Sequence, residues 1–419
     1  MQDEPLEVWL DAQFCAKPML VGFISNDHGQ LRFQYSQNWL TDSSRFAIDP
    51  DLPLSQGVYF PNKVAGNFGC FLDGSPDRWG QTLMKRREML EAQDEKRKPR
   101  NLYEWDFMAG VQDLTRQGAL RLRSASHDQF VSQHRLSAPP LAQLAELELV
   151  AKELSHKRID NLSALRRWLS VLVAPGASLG GARPKANFTQ TDGSLWIAKF
   201  PSREDDMDIG GWEGVVHALA VQAKLDVPDA KVFKFGKYFH TFCVKRFDRS
   251  QGRRVFYASA MTLLGRRESE GSSYVDLARL LLTQGNPATL KHDLEQLFRR
   301  VVFNVCVSNR DDHLRNHGFL FDGKNWRLSP AFDVNPNLAK AEHVLNLDAV
   351  TNRPDLEIVA STASYYDLNE SQAQKIILEI KAVVQTWKAQ ARSLKLSSAE
   401  IALMEPAFNF TALKSSVRI

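Results

Sequence analysis

The stretch Asn309–Pro336, NRDDHLRNHGFLFDGKNWRLSPAFDVNP, decides how this chain is read. Asp311 is followed five residues later by Asn316, and Asp333 comes seventeen residues after that, within Phe332-Asp333-Val334. Between them, FLF-DGKN-WRL alternates apolar and polar residues around a turn containing a glycine, which predicts a β-hairpin. A hairpin there carries Asp333 back toward Asn316. Two carboxylates and a carboxamide are hard oxygen donors, the kind Mg²⁺ takes when phosphate oxygens and water complete its shell. The plain alternative is a polar loop in which Asp312 and Asn316 cap or turn the chain.

The Asp-to-Asn interval matches the protein-kinase catalytic loop H-R-D-x-x-x-x-N, and Arg310 falls where that loop has its arginine. A transferring phosphoryl group needs its charge neutralised and its nucleophile aimed, with little covalent help. Asp311 suits the carboxylate that accepts the substrate hydroxyl's proton. Asn316 and Asp333 suit the Mg²⁺ ligands, and the implied co-substrate is ATP.

The upstream half supplies the rest. In PGASLGGARPKANFTQTDGSLWIAKF (residues 175–200), Gly180 and Gly181, with Ser178, let a backbone turn its N–H groups toward phosphate. This is neither a Walker A loop nor G-x-G-x-x-G, and alone it reads equally as a glycine turn. After TDGS, Leu195-Trp196-Ile197-Ala198-Lys199-Phe200 reads as a strand ending in lysine, similar to the V-A-I-K strand of kinases. An isolated ammonium among apolar residues is costly to bury, so Lys199 wants an anion unless it snorkels to water at a sheet edge. Glu213, fourteen residues on in an amphipathic helix, is the candidate partner, while Glu204, Asp205, Asp206 and Asp208 are expected to be solvated. Ala230–Phe235 and Phe239–Arg246 read as a hairpin leading into Lys245-Arg246-Phe247-Asp248-Arg249. Lys245 and Phe247 fall where a kinase hinge meets adenine, and Asp248 is expected to reach ribose or a metal-bound phosphate.

A chain of 419 residues is too long for one core. Its composition, 43% hydrophobic and 24% charged, is that of a globular protein, and a net charge of +4 gives no nucleic-acid footprint. Cys15, Cys70, Cys243 and Cys306 are widely spaced, which predicts reduced, buried thiols rather than a zinc or disulfide framework. No run approaches 18 apolar residues and no leader pattern is seen, so a cytoplasmic protein away from the membrane is expected.

Leu6–Leu10, Leu20–Ser25 and Leu31–Tyr35 read as a small antiparallel sheet. Asp77 reads as the N-cap of a helix with Trp79, Leu83 and Leu90 on its apolar side, and the mixed charges of 85–100 as a solvated face. The polar, proline-ended run 124–140 suits a connection. Asp293–Ser308 reads as a buried helix delivering the catalytic loop, and Gln372–Leu394 as a core helix. The expected domains are therefore 1–125, a small N-terminal α/β subdomain; 126–254, a linker helix and mixed α/β ATP lobe; and 255–419, an all-helical C-terminal lobe. Together they make an α+β, bilobal protein-kinase-like fold.

The blocks FLDGSPDRWG (71–80), SLGGARPK (178–185), WIAKF (196–200), WE (212–213), KRFDR (245–249), NRDDHLRNHG (309–318) and AFDV (331–334) jointly resemble the HipA family of toxin Ser/Thr protein kinases. The chain departs from the common Asp-Ser-Leu-Pro at Asp73-Gly74-Ser75-Pro76, and from a frequent acidic residue at Lys245. The resemblance covers nearly the whole chain. It implies phosphorylation of a serine on a protein, with aminoacyl-tRNA synthetases as familiar targets and translation as the process stalled. It implies autophosphorylation at Ser178, which would add a charge of about −1.5 to −2 to an anion-seeking loop. It also implies a HipB-like antitoxin that binds DNA, so that DNA is met only indirectly. A small-molecule phosphotransferase on the same scaffold, and a non-catalytic ATP-binding module or co-repressor, are the competing readings.

Overall fold

The computed structural model describes residues 4–62, 66–126, 129–132, 138–154, 183–237 and 239–410. Ser178, Gly180 and Gly181 lie outside the described residues. The chain forms two compact units that interleave along the sequence: Met1–Arg203, Lys245–Arg267 and Leu320–Gly323 in the first, Glu204–Val244, Glu268–Phe319 and Lys324–Ile419 in the second.

The first unit begins with an antiparallel sheet of β1 (Leu6–Leu10), β2 (Met19–Asp27), β3 (Gln30–Tyr35) and β4 (Leu120–Ser124), in the order β3-β2-β1-β4. Alternation explains it. Leu6, Val8 and Leu10 of β1 and Leu31, Phe33 and Tyr35 of β3 face the core, where Phe33 packs edge-on against Phe68 at 6.3 Å. The other face is polar: Arg123 of β4 donates to Glu7 at 2.7 Å and lies over the Trp9 ring.

The helix Arg78–Asp94 starts where Asp77 predicts, its Oδ1 accepting from the Gly80 N–H at 2.9 Å. Trp79 and Leu83 are buried and Leu90 half-buried. One residue of the mixed-charge run departs from the solvated face expected for it. Glu88 is buried, because Arg97 pairs with it and the Arg100 N–H donates to it at 2.8 Å.

Also in this unit, β5 (Lys185–Thr189) and β6 (Leu195–Lys199) form a hairpin with Lys185 opposite Lys199. Its turn places Gly193 at φ +81, and Asp192 accepts from the Ser194 N–H at 2.9 Å.

The second unit holds another antiparallel hairpin, β7 (Ala230–Phe233) and β8 (Thr241–Lys245), and is otherwise dominated by helices. The helix Leu290–Cys306 buries Leu294, Leu297, Phe298, Val301, Val302 and Val305. The predicted core helix 372–394 is two helices, Glu370–Val384 and Trp387–Ser393, broken where the Thr386 hydroxyl donates to Val383 O at 2.7 Å. Ile376, Ile380 and Trp387 are buried as their spacing requires. Cys15, Cys70, Cys243 and Cys306 are buried free thiols. Among the described residues no helix is long and apolar enough to cross a membrane.

Candidate active site

In the second unit the Asp311 loop leaves the Leu290–Cys306 helix through Ser308, at φ +52. Its floor is a buried polar network on Asp312, the neighbour of the expected base. Asp312 Oδ2 accepts from the Tyr274 hydroxyl at 2.6 Å and from Asn304 Nδ2 at 2.8 Å, and lies 2.7 Å from His317 Nε2. Burial alone would raise the Asp312 carboxyl, but His317 and the Tyr274 hydroxyl hold it below its ordinary value. Arg300 extends the network, with Nη1 3.3 Å from His317 Nδ1 and Nη2 donating to Ser329 O at 2.7 Å. In the sequence Asp312 has a place only in the plain alternative, as a capping or turn residue, and nothing there points to Tyr274, Asn304, His317 or Arg300. A signal existed: Arg300 and Asn304 stand four residues apart, on one face of the helix that precedes the loop.

Asn316 ends a short 3₁₀ turn, Leu314–Asn316, and is 4% exposed. Its Oδ1 is buried without a hydrogen-bond partner. Two residues on, the Ser329 N–H donates to Gly318 O at 2.9 Å, closing the predicted hairpin of strands Gly318–Phe321 and Trp326–Leu328. Asp333 follows at φ +57, a left-handed conformation that asparagine and aspartate tolerate better than other non-glycine residues. The segment after it lies along the start of the Asp311 loop. The Asn337 N–H donates to Ser308 O at 2.8 Å and the Val344 N–H to Arg310 O at 3.2 Å. Asn335 contributes a second buried oxygen, Oδ1, without a partner. Asp311 itself is exposed and pairs with Lys340.

An orphaned buried carboxamide oxygen is costly unless something fills its place. The Asn316 Oδ1 is an oxygen donor of the kind that a cation completed by phosphate and water takes. Among the described residues no three His, Cys, Asp or Glu side chains gather to hold a metal by themselves.

Glu213 is buried in the helix Ile209–Gln222. Asp208 is not the solvated loop carboxylate its sequence position predicts. It caps this helix, Oδ1 accepting from the Gly211 N–H at 2.9 Å and from the His240 N–H at 2.8 Å, while Oδ2 meets the His240 ring. A Cβ on Gly210 would stand 2.1 Å from His240 O, so only glycine admits this approach.

In the first unit Lys199 is 6% exposed, which excludes the snorkelling alternative. Across the hairpin, Lys185 is 1% exposed and donates to Asp77 Oδ2 at 2.5 Å, while the Trp79 Nε1–H donates to Lys185 O at 3.2 Å. The blocks FLDGSPDRWG and SLGGARPK thus meet through a buried ion pair.

Lys245 and Phe247 are half-buried, and the adjacent Arg246 N–H is spent on Leu195 O at 2.9 Å. Asp248, expected at the nucleotide, is 3% exposed among Arg246 Nη2 at 2.6 Å, Arg249 Nη1 at 2.7 Å and the Gly118 N–H at 2.8 Å. Burial would raise its carboxyl, and the two guanidiniums hold it well below the carboxylate range.

Small antiparallel sheets and helices in both units make this an α+β protein. Residues 177–387 match the HipA-like C-terminal domain and residues 6–100 the HipA N-terminal domain. The chain belongs to the HipA family. A relative in Sinorhizobium fredii, "Putative kinase Y4mE", is 25% identical over 358 residues, 78% of this chain and 76% of that one. A second from the same organism, "Putative kinase Y4dM", is 22% identical over 231 residues, 49% of this chain and 54% of that one. A chain of the solved Shewanella oneidensis MR-1 complex of HipA, HipB and operator DNA shares the fold. Its TM-score is 0.67, over 97% of this chain and 95% of that one, at 17% identity. The chain is a HipA-family kinase.

Proposed function

We propose that this protein is a Ser/Thr protein kinase that transfers the γ-phosphate of ATP to a protein serine, as the toxin of a toxin–antitoxin pair. Asp311 takes the acceptor hydroxyl's proton. Asn316 and Asp333 hold Mg²⁺, which supplies charge neutralisation on the phosphate oxygens when bound. Lys199 and Glu213 serve the phosphates, with Gly180, Gly181 and Ser178 cradling them. Lys245 and Phe247 serve the adenine end, and Asp248 acts by holding Arg246 and Arg249 in place. Autophosphorylation at Ser178 would regulate the enzyme, and an aminoacyl-tRNA synthetase is the proposed target. A HipB-like, DNA-binding antitoxin is the proposed partner, a reading supported by the HipA–HipB–operator complex of the Shewanella relative.

The observation that carries the reading is the unpartnered buried Oδ1 of Asn316. The test is incubation with labelled ATP and Mg²⁺, followed by phosphopeptide mass spectrometry of the protein and of a lysate. Label at Ser178 and on one lysate protein is expected. Asp311→Gln and Asn316→Ala should each abolish it, and an Asp311→Gln variant that still incorporates label refutes the assignment.

A further inference from the structure

Lys340 has no part in the mechanism above, yet its ammonium meets Asp311 Oδ1. Both side chains are largely exposed, 43% for Lys340 and 54% for Asp311. An exposed pair of this kind adds little stability. Its backbone, however, is fixed with unusual care for a surface lysine. Arg310 Nη1 donates to Lys340 O at 2.6 Å. The flanking Asn337 and Val344 N–H groups donate to Ser308 O and Arg310 O, and Asn337 Oδ1 accepts from the Ala339 N–H at 3.0 Å. The segment carrying Lys340 is thus tied on both sides to the residues just before Asp311. Among the described residues, Asp311 Oδ2 makes no other hydrogen bond or ion pair, so one oxygen is held and the other is open.

We infer that Lys340 is a positioning residue for the base: it fixes Asp311 through Oδ1 and so aims Oδ2 at the acceptor hydroxyl. In the step this serves, the hydroxyl proton passes to Oδ2 as the new oxygen–phosphorus bond forms. The bond from the γ-phosphorus to the bridging oxygen breaks, and ADP leaves. An unanchored, solvent-facing carboxylate would sample other rotamers, and misplacement of a reacting group by about 1 Å can cost about a hundredfold in rate. The alternative is that Lys340 masks the base until a substrate displaces it. The inference rests on the kinase reading.

The experiment measures ADP formation from Mg-ATP by the full chain, with dephosphorylated casein in excess as the serine acceptor, in wild type, Lys340→Ala, Lys340→Arg, Asp311→Gln and the Lys340→Ala/Asp311→Gln double variant. ATP affinity is followed separately by displacement of a fluorescent nucleotide. Lys340→Ala is expected to lower kcat by about 2- to 5-fold, the rotamer bias that an exposed pair of this kind can supply, with little change in ATP affinity. Arginine should restore most of the loss, because its guanidinium can still hold a carboxylate oxygen, and Lys340→Ala should add nothing in the Asp311→Gln background. Unchanged kcat in Lys340→Ala overturns the inference, as does raised kcat, which would mark a mask. An equal loss in both backgrounds overturns it too, by showing that Lys340 acts elsewhere. A wild type that binds ATP and forms no ADP refutes the kinase reading and this role together, which separates the two failures.

Discussion

Replacing Asp77 by asparagine isolates the buried ion pair that joins the N-terminal unit's helix to the β5–β6 hairpin. The side chains of Asp77 and Lys185 are 6% and 1% exposed. Lys185 also stands opposite Lys199 across the hairpin, so two ammonium-bearing residues occupy one face. Removing one member of a buried pair costs about 3–5 kcal/mol, because the remaining charge stays desolvated. Asparagine caps helices as well as aspartate does, so the Gly80 N–H keeps an acceptor and the loss reports the charge alone. Asp77→Ala should cost about 1 kcal/mol more, the worth of the lost cap. At about 2–4 °C per kcal/mol for a unit of this size, Asp77→Asn should lower the transition of the first unit by roughly 6–20 °C. Thermal scans by circular dichroism measure it. Adding Lys185→Met should return much of the loss, since an apolar replacement removes the desolvated ammonium. An Asp77→Asn protein melting within about 2 °C of wild type would refute the claim that this pair is energetically desolvated.

Two buried groups make stability depend on pH in opposite directions. His343 is 2% exposed, and burial lowers its pKa to about 4. The unfolded chain therefore takes up its proton below about pH 6.5 and the folded one only near 4, so this site costs up to about 3 kcal/mol as pH falls through that window. Denaturant titrations of His343→Asn should show that acid-side decline removed. Asp49 is buried where it accepts from the Cys70 N–H at 2.7 Å, and burial raises its pKa to about 6. The folded chain holds that proton longer, so its contribution is full below about pH 4 and is lost as pH rises toward 6. Comparing wild type with Asp49→Asn over the same range should show the opposite slope; parallel curves would refute this.

Much of this organisation is written in local pattern. Period-two alternation gives β1 and β3, the Asp77 cap starts its helix, TDGS turns the hairpin, and the interval from Asp311 to Asn316 marks the loop, because each is set by residues within a few positions of one another. What local pattern cannot give is where a charge ends up. Glu88 and Asp208 sit in polar runs and read as solvated, yet each is buried by a partner, Arg97 and His240, that sequence distance hides. Asp248 reads as a ligand group and is engaged by two arginines and a backbone N–H. Asp312 and Lys340 go unnoticed because their importance comes from contacts with Tyr274, Asn304, His317 and Asp311, on other segments. By itself the sequence determined on which strand, helix or loop the candidate side chains ride. Tertiary structure alone decided which of those charges are desolvated and by what they are compensated, since burial and pairing depend on segments that meet only when the chain is folded.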